Sequence, residues 1–356
     1  MKICFAINNL QAGGAERVFS SIVNWFVDNT GYTISALLFS YPFEMPDFYH
    51  LDKRVKVFYS KFNDYKDAVK LFRQICPDCV VSFLNPMNYV ISMATKEHGI
   101  AHITCERNDP YFSPKYEDDR KKRDFAFYNA TGCIFQTAHA ASYYDKALLK
   151  GQMKIIQNPV CIKRKDKESV KENRIVAIGR YADQKNYPIL LQAFSLFRSK
   201  HPQYRLDCYG KNSGRLQAIK ALAFQNQWDR GVTFSEPIAS IHSEISSAKL
   251  FLMTSSYEGM PNSLIEACAL GIPCVAVDVP GIRDIVERFQ CGVLCPEHKP
   301  EMLASAMENI LNDSITYSIF SENGKRIADE MGIDTIAPLW KNFIDTVLNT
   351  FDPHDI

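Results

Sequence analysis

Four charged residues in the second half of the chain have the types and spacing that chemistry on a diphosphate would require. Arg180 and Lys185 lie in Gly179-Arg180-Tyr181-Ala182-Asp183-Gln184-Lys185-Asn186, directly after the apolar run Arg174 to Ile178. An arginine forks onto two oxygens and a lysine supplies a mobile point charge, so the two together suit a diphosphate, although they could equally be surface cations. Glu258 and Glu266 bracket Gly259-Met260-Pro261-Asn262-Ser263-Leu264-Ile265. Pro261 is expected at the first position of a helix, where its missing N–H has no intrahelical partner, and Gly271 followed by Pro273 supplies the stop after Leu270. The backbone N–H groups of residues 261 to 263 would then form an anion-attracting helix N-terminus. Two carboxylates on either side of such a cluster fit a ligand with phosphate at one end and hydroxyl-rich groups on both sides, as in a nucleotide-sugar. The structural alternative is a Glu258 that only serves the helix dipole.

These residues need a scaffold, and the apolar pattern supplies one. Leu250-Phe251-Leu252-Met253 reads as a buried parallel strand whose carboxyl end feeds the Glu258 loop. In the first half, Lys2 to Asn8 is a strand, Gly13-Gly14 a tight turn that lets the backbone approach a phosphate or sugar, and Ala15 to Asp28 a helix. Strands at Thr33 to Phe39, Val55 to Tyr59, Cys79 to Phe83, Ala101 to Cys105 and Gly132 to Phe135 alternate with helical patterns at Tyr65 to Ile75, Asn88 to His98 and Asp118 to Asn129. Such alternation implies α/β architecture with mostly parallel sheets, whose ligands sit at strand carboxyl ends. There the loop Glu106-Arg107-Asn108-Asp109-Pro110 stands out. Arg107 can donate to a phosphate or sugar oxygen but cannot act as a base; the structural alternative is that Glu106, Arg107 and Asp109 simply pair to hold the loop.

Length and composition narrow the class. A chain of 356 residues accommodates two α/β domains, and a polar stretch from Asn158-Pro159 to Asn173, including Lys163 to Glu168, reads as the linker between residues 1–160 and 161–335. A net charge of +1 gives no reason to expect a nucleic-acid partner. Eleven cysteines scattered singly, and a strand beginning at Lys2 without a basic-then-apolar leader, point to a reducing cytoplasm. The close pairs Cys76/Cys79 and Cys291/Cys295 lack partner ligands at zinc-like spacing and read as structural thiols. No stretch is apolar enough to span a membrane. The run Arg120-Lys121-Lys122-Arg123 follows Glu117-Asp118-Asp119, so it is either compensated along one helix face or attracted to anionic lipid.

The segment Glu-Gly-Met-Pro-Asn-Ser-Leu-Ile-Glu-Ala, 258–267, resembles the E-x7-E signature of retaining glycosyltransferases of family 4, which have the GT-B fold. Gly179-Arg180 with Lys185-Asn186 resembles the pyrophosphate clamp of that family, and Gly13-Gly14-Ala15-Glu16-Arg17 its glycine-rich loop. The resemblance implies two Rossmann-like doubly wound domains facing a central cleft, with residues 336–356 forming a helix that crosses back to the first. It implies transfer of a hexosyl or N-acetylhexosaminyl unit from a nucleoside diphosphate sugar, UDP by analogy, to a glycan or lipid-linked oligosaccharide. Arg180, Lys185 and Glu258 would be catalytic. Gly13, Gly14, Gly179, Gly259, Met260, Pro261, Asn262, Ser263, Leu264 and Glu266 would join them in holding the donor, Glu266 at the ribose hydroxyls. Glu106, Arg107 and Asn108 would meet acceptor or sugar. No cofactor or metal is expected, since no Asp-x-Asp occurs near a strand end. The expected location is the cytoplasm, with peripheral contact at the inner membrane face.

The sequence departs from that family at three places. Cys105-Glu106-Arg107 stands where relatives often have a histidine, Ser235-Glu236-Pro237-Ile238 replaces a glycine-containing turn near the base, and in the loop with Gly281 a second glycine common in relatives is Pro280 here. A non-catalytic nucleotide-sugar-binding module is the alternative that these residues leave open.

Overall fold

The computed structural model describes residues 1–39, 47–61, 64–162 and 169–353. The Lys163 to Glu168 part of the expected linker lies outside them. The chain forms two units, Met1–Pro159 with Ile333–Ile356, and Val160–Gly332.

The first unit is built on seven strands: β1 (Lys2–Ile7), β2 (Thr33–Leu38), β3 (Lys56–Tyr59), β4 (Cys79–Phe83), β5 (Ala101–Cys105), β6 (Gly132–Phe135) and β7 (Gln152–Ile155). Every pairing is parallel, in the order β3-β2-β1-β4-β5-β6-β7. Beyond the first residues of β1 and β2 the inner strands are buried, β4 and β5 at every residue, because helices cover both faces of a parallel sheet. β7 was not legible in the sequence: Gln-Met-Lys-Ile is an exposed edge strand with no apolar run.

The last helix, Ile333–Thr350, belongs to this unit and starts earlier than residue 336. Its fully buried Trp340 stacks on Phe83 with ring centroids 5.5 Å apart, and Asp334 accepts from the Trp25 indole at 2.9 Å. An apolar stripe of Ile336, Trp340, Phe343, Ile344 and Val347 at helical spacing explains why this helix docks rather than ends the chain as a loose tail.

The second unit holds β8 (Arg174–Ile178), β9 (Arg205–Tyr209), β10 (Val232–Ser235), β11 (Leu250–Met253), β12 (Cys274–Val277) and β13 (Gly292–Cys295). They pair in parallel in the order β10-β9-β8-β11-β12-β13. This is the doubly wound order of a Rossmann-like sheet. The chain reverses its direction of winding between β8 and β11, and in open sheets ligands bind at the carboxyl ends of those two strands. β8 ends at Ile178 and β11 at Met253, so the loops carrying Arg180, Lys185 and Glu258 leave the sheet at that place. Where the chain enters and leaves the unit, Val160 donates its N–H to the Met331 carbonyl at 2.7 Å and forms a bridge with Gly332.

Candidate active site

The site begins with two glycines. A side chain at Gly210, which closes β9, would meet the Gly179 carbonyl oxygen at 1.9 Å, and one at Gly179 would meet the Lys185 stem at 2.9 Å. Gly179 therefore leaves room for the Lys185 side chain to run back over the end of β8, and Gly210 leaves room for the Gly179 carbonyl. Tyr181 is fully buried and donates to the carbonyls of Cys208 and Ser235 at 3.0 and 2.8 Å, pinning the loop to β9 and β10. A short 3-10 turn, Asp183–Lys185, then leads through Asn186 in the left-handed region (φ 50°) into the helix Tyr187–Lys200.

This loop is knitted to the one that follows β11. The Thr254 hydroxyl donates to the Lys185 carbonyl at 3.0 Å, and the Ser256 N–H to the Gln184 carbonyl at 2.8 Å. The Gln184 amide donates to the Tyr257 carbonyl at 2.8 Å. Lys185 Nζ stands 2.5 Å from Glu258 Oε1, with the two side chains only 15% and 9% exposed. Arg180 is exposed and donates to Gln184 Oε1 at 3.2 Å. The structure thus brings together Gly179, Arg180, Lys185 and Glu258, through a glutamine that sequence reasoning missed. Nothing in its spacing marks Gln184; its role comes from the proximity of two loops.

The helix after this loop is Asn262–Ala269, one residue later than expected. Pro261 is its N-cap in extended backbone (φ −79°, ψ 101°), so the proline ends the loop instead of opening the helix. Having no N–H, it leaves Asn262 and Ser263 as the amides at the helix start, while Leu264 and Ile265 already donate to the Pro261 carbonyl at 3.1 and 3.2 Å. Among the described residues the Pro261 N-cap makes no side-chain capping hydrogen bond. The Ser263 hydroxyl donates to the Ile178 carbonyl at 3.0 Å, tying the helix start to the end of β8. Met260 and Leu264 are buried at 5% and 0% exposure, so their side chains pack in the core. Gly259 is held from the far side: a side chain at Gly281, in the helix Pro280–Phe289, would meet the Gly259 and Glu258 carbonyl oxygens at 2.2 and 2.6 Å.

Glu266 is buried, and His242 Nε2 lies 3.2 Å from its Oε2. His242 belongs to the helix Ile241–Ile245 and was not singled out from the sequence, where a lone histidine carries no spacing signal.

In the first unit, Gly13 is the extended N-cap (φ −167°) of the helix Gly14–Asn29, and the Glu16 carboxylate folds back over it, 2.1 Å from where a side chain would begin. Glu106 is turned inward. Its Oε1 accepts the Arg107 and Asn108 amides at 3.0 and 3.2 Å, and its Oε2 accepts the Tyr144 hydroxyl at 2.8 Å. Burial pushes its carboxyl up to about 6, against the lowering effects of Tyr144, of Arg123 and of the two amides. Asn108 Oδ1 accepts the Asp109 amide at 3.0 Å. Arg107 donates from Nη2 to Asn158 Oδ1 at 2.7 Å and lies over the Phe83 ring. Burial lowers it to about 10, which leaves it protonated at neutral pH.

Two other expectations need adjusting. Arg123 is not part of a surface basic run: it is fully buried and donates to the carbonyls of Pro110 and Ser113, each at 2.7 Å. Lys121 and Lys122 face Glu117 and Asp119 at 2.9 and 3.9 Å, the compensated-face alternative. Cys291 clusters not with Cys295 but with Cys268 and Cys274, their sulfurs all within 4.8 Å. Among the described residues this is the one group of three metal-ligating side chains; it is buried, with Cys268 on the Asn262–Ala269 helix, Cys274 at the start of β12 and Cys291 just before β13.

Comparison with known proteins relates the second unit to a sequence family. Residues 161–327, nearly the whole second unit, match the sequence model described as Glycosyl transferases group 1. Over 96% of its length the chain is 25% identical to an uncharacterized glycosyltransferase of Haemophilus influenzae, covering 99% of that protein. It is 24% identical over 98% of its length to a Campylobacter jejuni enzyme, again covering 99% of it, named as an alpha-1,4-N-acetyl-D-galactosaminyltransferase acting on an undecaprenol-linked glycan. The chain is a glycosyltransferase. Solved structures similar to this glycosyltransferase include sucrose-phosphate synthase from Thermosynechococcus elongatus, with a TM-score of 0.82 at 15% identity, covering 98% of this chain and 99% of that one. The Anabaena protein HepE, solved with UDP and glucose, gives 0.81 at 16% identity, covering 97% of this chain and all of that one. The fold of the glycosyltransferase is accordingly GT-B, with two parallel-sheet Rossmann-like units.

Proposed function

We propose that this glycosyltransferase moves a hexosyl or N-acetylhexosaminyl unit from a UDP-sugar to a hydroxyl of a glycan or lipid-linked oligosaccharide, with retention at the anomeric carbon and without a metal. The observation that carries the reading is the joining of the two loops at the β8/β11 switch point, where Gln184 ties Arg180 to the Tyr257 carbonyl and Lys185 meets Glu258. Negative charge develops on the departing diphosphate. Arg180, Lys185 and the amides of Asn262 and Ser263 are the groups that would stabilise it, and preorganised donors of this kind are usually the largest catalytic contribution. Three such sources of positive potential would do the work of a divalent cation, which is the argument for metal independence.

Glu258, already paired with Lys185, would take hydroxyls of the transferred sugar as the lysine swings to the diphosphate. Glu266, fixed by His242, would accept from the ribose hydroxyls. Glu258 and Glu266 are both assigned to binding and Asp183 is paired with Arg215 at 2.8 Å, so in this reading the leaving phosphate is the base that takes the acceptor proton, on the same face that it leaves. Alpha linkages in the names of the Campylobacter enzyme and of a Bacillus subtilis poly(glycerol-phosphate) glucosyltransferase support retention from an alpha-linked donor.

The first unit would take the acceptor. No helix among the described residues is long and apolar enough to cross a membrane. Exposed Tyr111, Phe112 and Tyr116, with exposed Lys115 between them, favour peripheral contact with the cytoplasmic face of the inner membrane, since aromatic rings and cations both partition to a headgroup layer.

A melting panel with UDP, GDP and ADP, followed by donor hydrolysis without acceptor, tests the reading. UDP is expected to raise the melting temperature most, and UDP-sugars to release UDP slowly and equally with and without EDTA. Failure of every nucleoside diphosphate to stabilise the chain would overturn it.

A further inference from the structure

Four neighbouring strands of the first unit, β1, β4, β5 and β6, each run at the carboxyl end into a polar residue with an unsatisfied buried atom. Asn8 follows β1, Asn85 follows β4, Arg107 follows β5 and Gln136 follows β6. Asn8 Oδ1, Asn85 Oδ1 and Gln136 Oε1 have no hydrogen-bond partner among the described residues, nor do Nε and Nη1 of Arg107. Adjacent strands lie about 4.8 Å apart, so the row is about 15 Å wide. Buried polar groups are nearly always paired, and four orphans along one edge of one sheet are unlike the isolated exceptions that folding tolerates.

The chemistry of the row is specific. Three amide oxygens accept from hydroxyls, as a sugar would offer. Arg107 differs from them because it also brings a charge. The carboxylates that attract it, Glu106 and Glu16, do so through space only: Glu106 is occupied by two amides and the Tyr144 hydroxyl, and neither hydrogen-bonds to the guanidinium. Its one hydrogen-bond partner among the described residues, Asn158 Oδ1, is neutral and is shared with the Gln136 amide, each at 2.7 Å. The Phe83 ring beneath it offers a π face and no lone pair. A guanidinium withdrawn from water with two nitrogens unpaired is complementary to an oxyanion above all other groups. Asn8, Asn85 and Arg107 are half-buried as residues and Gln136 is buried, so a small ligand meets the row at the first three, whose orphaned atoms turn toward it on binding.

We infer that this strand-end row seats an acceptor sugar bearing an oxyanion, a carboxylate or a phosphate ester, with Arg107 reading the charge and Asn8, Asn85 and Gln136 reading hydroxyls. The inference rests on the reading above that the first unit takes the acceptor. It narrows the acceptor class from any glycan to an acidic one.

The test uses the full chain labelled with nitrogen-15, in which the Arg107 Nε–H resonance is assigned by its loss in Arg107→Lys. Glucuronate, glucose 6-phosphate, glucose and UDP are titrated separately. Glucuronate or glucose 6-phosphate should shift that resonance and bind at least tenfold more tightly than glucose; which of the two binds better distinguishes carboxylate from phosphate. Arg107→Gln should erase the preference while UDP affinity stays unchanged. Equal binding of glucose and both acidic sugars overturns the inference, and so does a resonance that moves only with UDP, which would make the donor the source of the anion. The wild-type titration decides the matter even if Arg107→Gln folds poorly. Loss of UDP binding by the wild-type chain would instead overturn the donor reading, so the two failures are told apart.

Discussion

Lys185 and Glu258 are 73 residues apart in the chain, yet the ammonium nitrogen of one stands 2.5 Å from a carboxylate oxygen of the other at the place where the second sheet changes its winding direction. Both side chains are largely buried, so each is held by its partner. Removing one member of such a pair leaves an uncompensated buried charge, which is costlier than removing both.

Lys185→Ala is therefore expected to lower stability by about 3 kcal/mol and kcat/KM by about 3 kcal/mol, close to a hundredfold or more. Adding Glu258→Gln should restore most of the stability and none of the turnover. Urea melts beside steady-state kinetics separate the two; recovery of turnover in the double variant would show that Lys185 only holds Glu258.

Arg180 is exposed and, among the described residues, its side chain hydrogen-bonds to Gln184 alone. Arg180→Ala should leave the melting temperature nearly unchanged and reduce kcat/KM by about 2–4 kcal/mol. Gln184→Ala should weaken UDP binding by about 1 kcal/mol through loss of the bond to the Tyr257 carbonyl. Calorimetry with UDP checks the second, and unaltered affinity would detach Gln184 from the site.

Gly281→Ala would drive a methyl against two loop carbonyls, at 2.2 and 2.6 Å, that cannot move without shifting Glu258 and Gly259. A loss of about 1–3 kcal/mol in stability is expected, together with weaker donor binding. Gly31→Ala is the control, since nothing lies within 4 Å of its added carbon. If both variants melt alike, the close approach does not constrain the loop.

Two buried groups of the first unit should shape the acid response. Burial lowers His102 to about 3, and its Nε2 is 2.8 Å from Ser82 Oγ. Between about 6.5 and 3 the unfolded chain binds a proton that the folded chain refuses, so this group's contribution is complete above pH 6.5 and falls by about 1.4 kcal/mol per unit as pH drops. Glu106, raised to about 6, acts in the opposite sense: the folded chain holds its proton more tightly. Its contribution is complete below about pH 4.5 and is lost, by about 2 kcal/mol, as pH rises through 6. The two nearly cancel between pH 4.5 and 6. The difference between wild type and His102→Asn, measured by urea melts across this range, should therefore change steadily with pH, and a flat difference would contradict a buried neutral histidine.

Much of the second unit was legible because its strands are short apolar runs followed by polar loops. Arg174 to Ile178 and Leu250 to Met253 are strands at those residues. β13 was not read, since Gly-Val-Leu-Cys is short and half-exposed. The Pro261 helix was read one residue early, because proline fits both an N-cap with extended backbone and a first helical position, and only the packing against β8 chooses between them.

The sequence by itself determined the alternation of elements, and hence parallel sheets with their ligands at strand carboxyl ends, because periodicity and glycine placement act locally. It also determined which cations and carboxylates occupy those ends. Tertiary structure alone decided that Gln184 joins two loops, that His242 faces Glu266, that Gly281 presses on Gly259, and that Arg123 turns inward while Arg107 keeps two nitrogens unpaired. Each of these is a meeting of side chain or backbone from separate elements, and no local spacing encodes which distant group a buried atom will face.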